Sequence, residues 1–142
     1  MLAGMERIDD GDLGIVVAGP TGFGNNVYVV FDKATNEAAF IDAPDGLEVS
    51  IAAAELAGVR PSRILLTHGH FDHTATIDAL KGHYDAKLYA QASEIGLKEG
   101  QLDVPLADGD TVSVGNLVFS VVHVPGHTVG SVTFVHGGHA VP

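Results

Sequence analysis

The chain has 142 residues, 46% of them hydrophobic, a formal net charge of -11 and no cysteine. That length allows one folded domain with its own core, and the missing cysteines exclude a disulfide framework or thiolate metal site and fit a reducing cytoplasm. The acidic balance speaks against a nucleic-acid partner, whose phosphates would be repelled, and the seven Lys and Arg residues form no run.

Residues 1–12 are acidic and read as irregular, without the basic-then-apolar order of a secretory signal. Residues 13–17 read as a short edge strand. The glycine-rich stretch 19–24 reads as a turn rather than a phosphate loop, since no Gly-Lys-Ser/Thr ending follows. Residues 27–32 and 37–42, rich in Val, Phe and Ile, are joined by Lys33-Ala34-Thr35-Asn36, which predicts a hairpin. Asp45, with Glu48 three residues on, is placed to cap a helix with Leu47, Ile51, Ala54 and Gly58 on one face, ended by Gly58 and Pro61. Residues 64–66 are wholly apolar, as in a strand buried on both faces. No uncharged apolar stretch is long enough for a transmembrane helix, so no membrane partner is expected.

Directly after that strand comes Thr67-His68-Gly69-His70-Phe71-Asp72-His73. Imidazoles and a carboxylate clustered where a strand ends call for a metal, because ligand sites gather at strand termini in layered α/β folds. In an extended loop, residues two apart share a face, so His68 and His70 can point at one ion while Asp72 and His73 turn toward a second position. These ligand types suit zinc, one or two ions, with iron or manganese as alternatives. A helix over 72–80 would hold Asp72 and His73 and turn Ile77 and Leu80 inward; His83, beyond its end, is expected in solvent.

Further strands are expected over 86–90, 111–114, 117–124 and 131–135, with a short helix over 93–98 and a two-residue Gly115-Asn116 hairpin link. The turn Pro125-Gly126-His127-Thr128 offers His127 as a third nitrogen for the first ion. His123 reads as an ordinary strand histidine, and His136 and His139, beside Gly137 and Gly138, as parts of a polar hairpin turn. After Asp110 the chain contains no Asp, Glu, Lys or Arg. Since free sheet faces and edges are normally protected by charge, this sheet is expected to be covered, by a second copy in a homo-oligomer or by a complementing C-terminal fragment.

The H-x-H-x-D-H signature at His68, His70, Asp72 and His73, with P-G-H-T-x-G-S at 125–131, resembles the metallo-β-lactamase superfamily over about residues 14–135. The resemblance implies an α/β (α+β) fold, an αββα sandwich incomplete at the C-terminus, with residues 1–142 as a single domain. It implies that His68, His70 and His127 hold one metal, that Asp72 and His73 contribute to the other, that Asn26 and Asp42 support the site, and that Phe23 lies in a substrate-facing loop. The pattern departs from the family in one respect: nothing matches its metal-bridging aspartate or its later histidine. A metal held by three histidines lowers the pKa of water from about 15.7 toward about 7, giving a hydroxide nucleophile, and Asp72 is a competent general base. The implied activity is hydrolysis of an ester, thioester or lactone, a small-molecule substrate, in the manner of the hydroxyacylglutathione hydrolase (glyoxalase II) group. The alternatives are a truncated or split domain that binds metal and self-associates without turnover, and an iron-dependent persulfide dioxygenase-like oxidoreductase.

Overall fold

The computed structural model describes residues 4–94, 96–124 and 130–141. The start of the chain folds as four antiparallel neighbours: the charged β1 (Gly4–Asp10) and the apolar β2 (Leu13–Gly19), β3 (Val27–Asp32) and β4 (Ala38–Ile41). Beyond β4 the strands join in parallel, as β5 (Arg63–Leu65), β6 (Lys87–Gln91) and β7 (Val104–Leu106), giving one sheet in the order β1-β2-β3-β4-β5-β6-β7. Parallel neighbours need crossovers, supplied by α1 (Leu47–Ala57) between β4 and β5, and by α2 (Phe71–Thr74) and α3 (Ile77–Tyr84) between β5 and β6. β8 (Thr111–Val114), β9 (Leu117–His123), β10 (Val132–His136) and β11 (His139–Val141) form a second, antiparallel sheet in the order β11-β10-β9-β8.

Strand alternation distributes the apolar side chains between two cores. Val29, Phe31, Phe40 and Ile64 face the helices, whereas Val30, Ala39, Ile41 and Leu65 face the second sheet, where they meet Val112, Phe119, Val121 and Phe134. The first sheet is therefore buried on both faces. The second buries only its inner face: β9 alternates along its length, and Val118 and Val122 are exposed on the other side. Among the described residues no helix covers that outer face, so helices, first sheet and second sheet are three layers of an αββα sandwich. No helix is long and apolar enough to cross a membrane among the described residues.

Several sequence expectations are corrected. Residues 4–10 are not irregular but form the outer strand β1, so β2 is an interior strand; exposed Glu6, Arg7, Asp9 and Asp10 hid its pattern and protect it as a charged edge. Asp45 does not cap α1, whose N-cap is Gly46 in the left-handed region with no side-chain bond. The carboxylate of Asp45 instead accepts the Thr21 hydroxyl at 2.6 Å and the Phe23 amide at 3.1 Å. The buried face of α1 is Val49, Ser50, Ala53 and Ala54, rotated from the expected one. The expected helix over 72–80 breaks at Ala75 and Thr76, because the Thr76 amide and hydroxyl donate to the carbonyls of Ala43 and Pro44. Ile77 and Leu80 are fully buried as expected, and His83 is exposed within α3 rather than past its end. No helix forms over the described part of 93–98, and β7 was not foreseen.

A buried polar contact helps to tie the two sheets together. Asp32, at the end of β3 and fully buried, accepts hydrogen bonds from the amides of Asn116 (2.7 Å) and Ala34 (3.0 Å) and from the Thr35 hydroxyl (3.1 Å). The Asn116 amide is the main reason its carboxyl titrates below the usual value of 3.8, opposed by burial and helped by Ala34 and Thr35. Gly115, at φ 60°, sits against this carboxylate, and a Cβ there would collide with Thr35 and Asp32.

A depressed carboxylate stabilises the fold at all pH values above its unfolded pKa, and the contribution drains away as pH falls through the lower folded value. In urea titrations, Asp32→Asn is therefore expected to be less stable than the parent at neutral pH and to converge on it below about pH 4. Gly115→Ala is expected to lose more than about 1 kcal/mol, since strain and collision act together.

Candidate metal centre

β4 and β5 are parallel neighbours with Ile41 opposite Leu65, so the segments that leave the two strand ends emerge at the same edge of the sheet. Asp42 comes directly after β4 in the left-handed region (φ 66°) and is almost fully buried. A buried carboxylate is costly unless its oxygens are met by donors. Here the Thr67 amide donates to Oδ1 at 2.6 Å and the Thr67 hydroxyl to Oδ2 at 2.7 Å, while His73 Nδ1 lies 2.8 Å from Oδ2.

This network assigns the histidine tautomers. The Thr67 hydroxyl has given its proton to Asp42, so His68 Nδ1, 3.0 Å from that oxygen, must donate to it. His73 Nδ1 donates to Asp42. Both rings therefore present Nε2 as the lone-pair nitrogen, the arrangement in which a second hydrogen bond fixes a metal-binding imidazole. Burial alone would lower the pKa of His73, but the hydrogen bond and charge of Asp42, with the charge of Asp72, raise it above 6.5.

The structure brings together four of the five expected ligands. One donor atom each from His68, His70 and Asp72 lie within 4.8 Å of one another, and so do those of Asp42, His68 and His73. The His68 ring is 5.1 Å from that of His70 and 4.0 Å from that of His73, and His73 Nε2 is 3.6 Å from Asp72 Oδ2. Asp42 already accepts three hydrogen bonds, so it serves as the anchor of this set rather than a further ligand. Imidazole nitrogens and a carboxylate at this separation fit a divalent cation such as zinc, iron or manganese. His127 lies outside the described residues. The described residues on either side of 125–129 reach the site: Val124 and Ser131 line the same cavity as His68 and His73, and the Val132 amide donates to the Thr67 carbonyl at 2.8 Å.

The cavity holds about 440 Å³, within the range of small-molecule sites. Asn26 lines it, as expected of a supporting residue, but Asn25 is the one that reaches Asp72, through Nδ2 at 3.1 Å from the backbone oxygen and 3.4 Å from Oδ2. Phe23 is 62% exposed and stands edge-on to Phe71, ring centres 6.0 Å apart, beside His70 and Asp72. His139 is in the β10–β11 hairpin, Nε2 2.9 Å from Asp10, and His136 pairs with it across the turn, so neither belongs to the cluster. Sequence reasoning missed Thr67 and Asn25. Thr67 carried a signal in its place beside the first histidine; Asn25 carried none, because its partner is distant in the chain.

A sheet whose strand ends carry this histidine and aspartate cluster, backed by a second sheet, defines a metal-centre protein of the metallo-β-lactamase type. The chain belongs to the metallo-beta-lactamase superfamily, whose family model matches residues 20–141. It is similar to the hydroxyacylglutathione hydrolase of Pseudomonas fluorescens, 37% identical over 114 residues, covering 80% of this chain and 44% of that protein. A protein of the same name from Cereibacter sphaeroides is 39% identical over 110 residues, covering 78% and 42%. The chain thus spans less than half the length of these curated relatives. Among solved structures, ETHE1 from Myxococcus xanthus superposes with a TM-score of 0.73 at 25% identity, covering 96% of this chain and 55% of that one. The FEZ-1 metallo-beta-lactamase from Legionella gormanii has the same fold, with a TM-score of 0.78 at 20% identity and coverage of 99% and 62%.

Asp42→Ala strands the buried Thr67 amide and the half-buried His73 imidazole N–H, and is expected to cost about 1–3 kcal/mol of stability and tenfold to a hundredfold in zinc affinity. Chelator competition beside thermal melts checks both.

Proposed function

We propose that residues 1–142 form a single domain that carries the metal centre of a hydrolase acting on a small ester, thioester or lactone. His68, His70 and His127 take one cation, and Asp72 and His73 face a second position. The observation that carries this reading is the convergence of His68, His70 and Asp72 donor atoms within 4.8 Å, beside a small-molecule cavity that His68 and His73 line. The relatives' name, hydroxyacylglutathione hydrolase, makes a small hydroxyacyl thioester the favoured substrate. The cytoplasm is the proposed setting, in keeping with a sequence free of cysteine.

A cation held there, zinc in first place, supplies Lewis acidity that acidifies water and polarises a carbonyl. The chain's own groups do the rest. Asp42 and Thr67 hold His68 and His73 through Nδ1, which leaves Nε2 of each ring as the nitrogen for a cation. Asp72, half-buried at the start of α2, accepts the proton of the attacking water. Val132, on the cavity wall, lowers the local dielectric and strengthens each electrostatic contact.

A second reading, a metal-binding domain that turns over only when completed, is favoured by the bare outer face of the second sheet. Val118 and Val122 are exposed there, on a stretch without charged residues. A complementing C-terminal fragment or a second copy is the proposed cover. Light scattering of the 142-residue chain is expected to show self-association; a stable dilute monomer would count against it.

Metal analysis beside thioester and lactone assays separates the two readings. Hydrolysis with bound metal supports the enzyme, and tightly bound metal without hydrolysis supports the domain awaiting completion. His68→Ala is expected to abolish metal retention and any hydrolysis, and Asp72→Asn to cut hydrolysis by about 10²–10⁴-fold. Unchanged turnover in His68→Ala would refute the mechanism.

A further inference from the structure

The loop between β2 and β3 is built as a brace for the metal centre. The Thr21 amide donates to the Asn25 carbonyl at 2.8 Å and the Gly24 amide to the Thr21 carbonyl at 2.9 Å, so the loop closes on itself. The Thr21 hydroxyl receives the Asn25 amide at 3.2 Å and donates to Asp45 Oδ1 at 2.6 Å, while Asp45 Oδ2 receives the Phe23 amide. Asp45 immediately precedes Gly46, the N-cap of α1, so the loop is fastened to the start of a helix packed on the first sheet. Its side chain that hydrogen-bonds the cluster is Asn25, whose Nδ2 serves Asp72 twice, at the backbone oxygen and toward Oδ2.

We propose that Asn25 is the positioning residue of Asp72, selecting the carboxylate orientation that faces His68 and His70, and that Asp45 and Thr21 set Asn25 in place. The proposal rests on the metal-centre reading above. Asp72 needs such a partner. Its side chain is 43% exposed, and it lies in a helix of only four residues with no side-chain cap, so little else limits its rotamers. Ordering a free carboxylate on binding would cost entropy at each loading event. A carboxamide already in place removes that cost. The alternative neighbour, His73 Nε2 at 3.6 Å, is too far to fix the carboxylate by a hydrogen bond.

The test has two arms. In the metal-free protein, the Asn25 side-chain amide protons should exchange slowly by NMR, and Asp72→Ala should speed exchange of the proton that faces Oδ2 while the one held by the backbone oxygen stays protected; unprotected protons in the parent overturn the proposal without touching the metal reading. In the second arm, cobalt(II) affinity and its visible spectrum are measured for the parent, Asn25→Ala, Asp72→Ala and the double variant. Asn25→Ala should weaken cobalt binding by about tenfold to a hundredfold and alter the spectrum, yet change nothing further once Asp72 is alanine. An equal loss in the Asp72→Ala background would show that Asn25 acts only through loop folding and would overturn the proposal, as would parent-like cobalt binding by Asn25→Ala. A parent chain that takes up no cobalt, with the amide protection intact, would instead sink the metal reading and with it this role.

Discussion

One buried carboxylate organises this molecule. Asp42 leaves the end of β4 in a backbone conformation that most side chains avoid, though aspartate tolerates it, and its oxygens gather donors from Thr67 and His73. The same three contacts fix the start of the metal loop, the tautomers of two histidines and the orientation of α2. Structural and chemical roles cannot be separated here, because the interaction that satisfies a buried charge also aims the imidazoles.

The sheet order explains why these groups meet. Parallel pairing of β4 and β5 brings Asp42 and the 67–73 loop to one edge, and the backbone bond from Val132 to Thr67 joins the second sheet to that edge. At the opposite end of β3, Asp32 makes another polar tie between the sheets, to Asn116. The two-sheet core is thus pinned by a hydrogen-bonded contact at each end, and the apolar interior between them holds the distance across which the cavity opens.

Much of this was legible in the sequence, for physical reasons. The continuous apolar runs of β2 to β4 and the alternation in β8 and β9 reported buried faces, and the density of ligand-type residues at the end of β5 pointed to the histidine and aspartate cluster. The signal failed where one residue served tertiary partners. Asp45 resembles a helix cap, but its carboxylate is used by Thr21 and Phe23; Thr76 resembles a helix interior, but its donors go to the 43–44 backbone. β1 was invisible because a strand exposed on both faces carries no hydrophobic period. Asn25 was passed over for Asn26 because adjacent asparagines differ only in which way the folded loop turns them.

The account stands on imidazole nitrogens and carboxylate oxygen sharing one cation at the sheet edge. X-ray absorption at the zinc edge of the zinc-loaded protein reads this directly. The account predicts a first shell of nitrogen and oxygen only, at about 2.0–2.2 Å, with the outer scattering of at least two imidazoles, and no such shell when His68 is replaced by alanine. A zinc shell without imidazole scattering, or one unchanged in that variant, would contradict it.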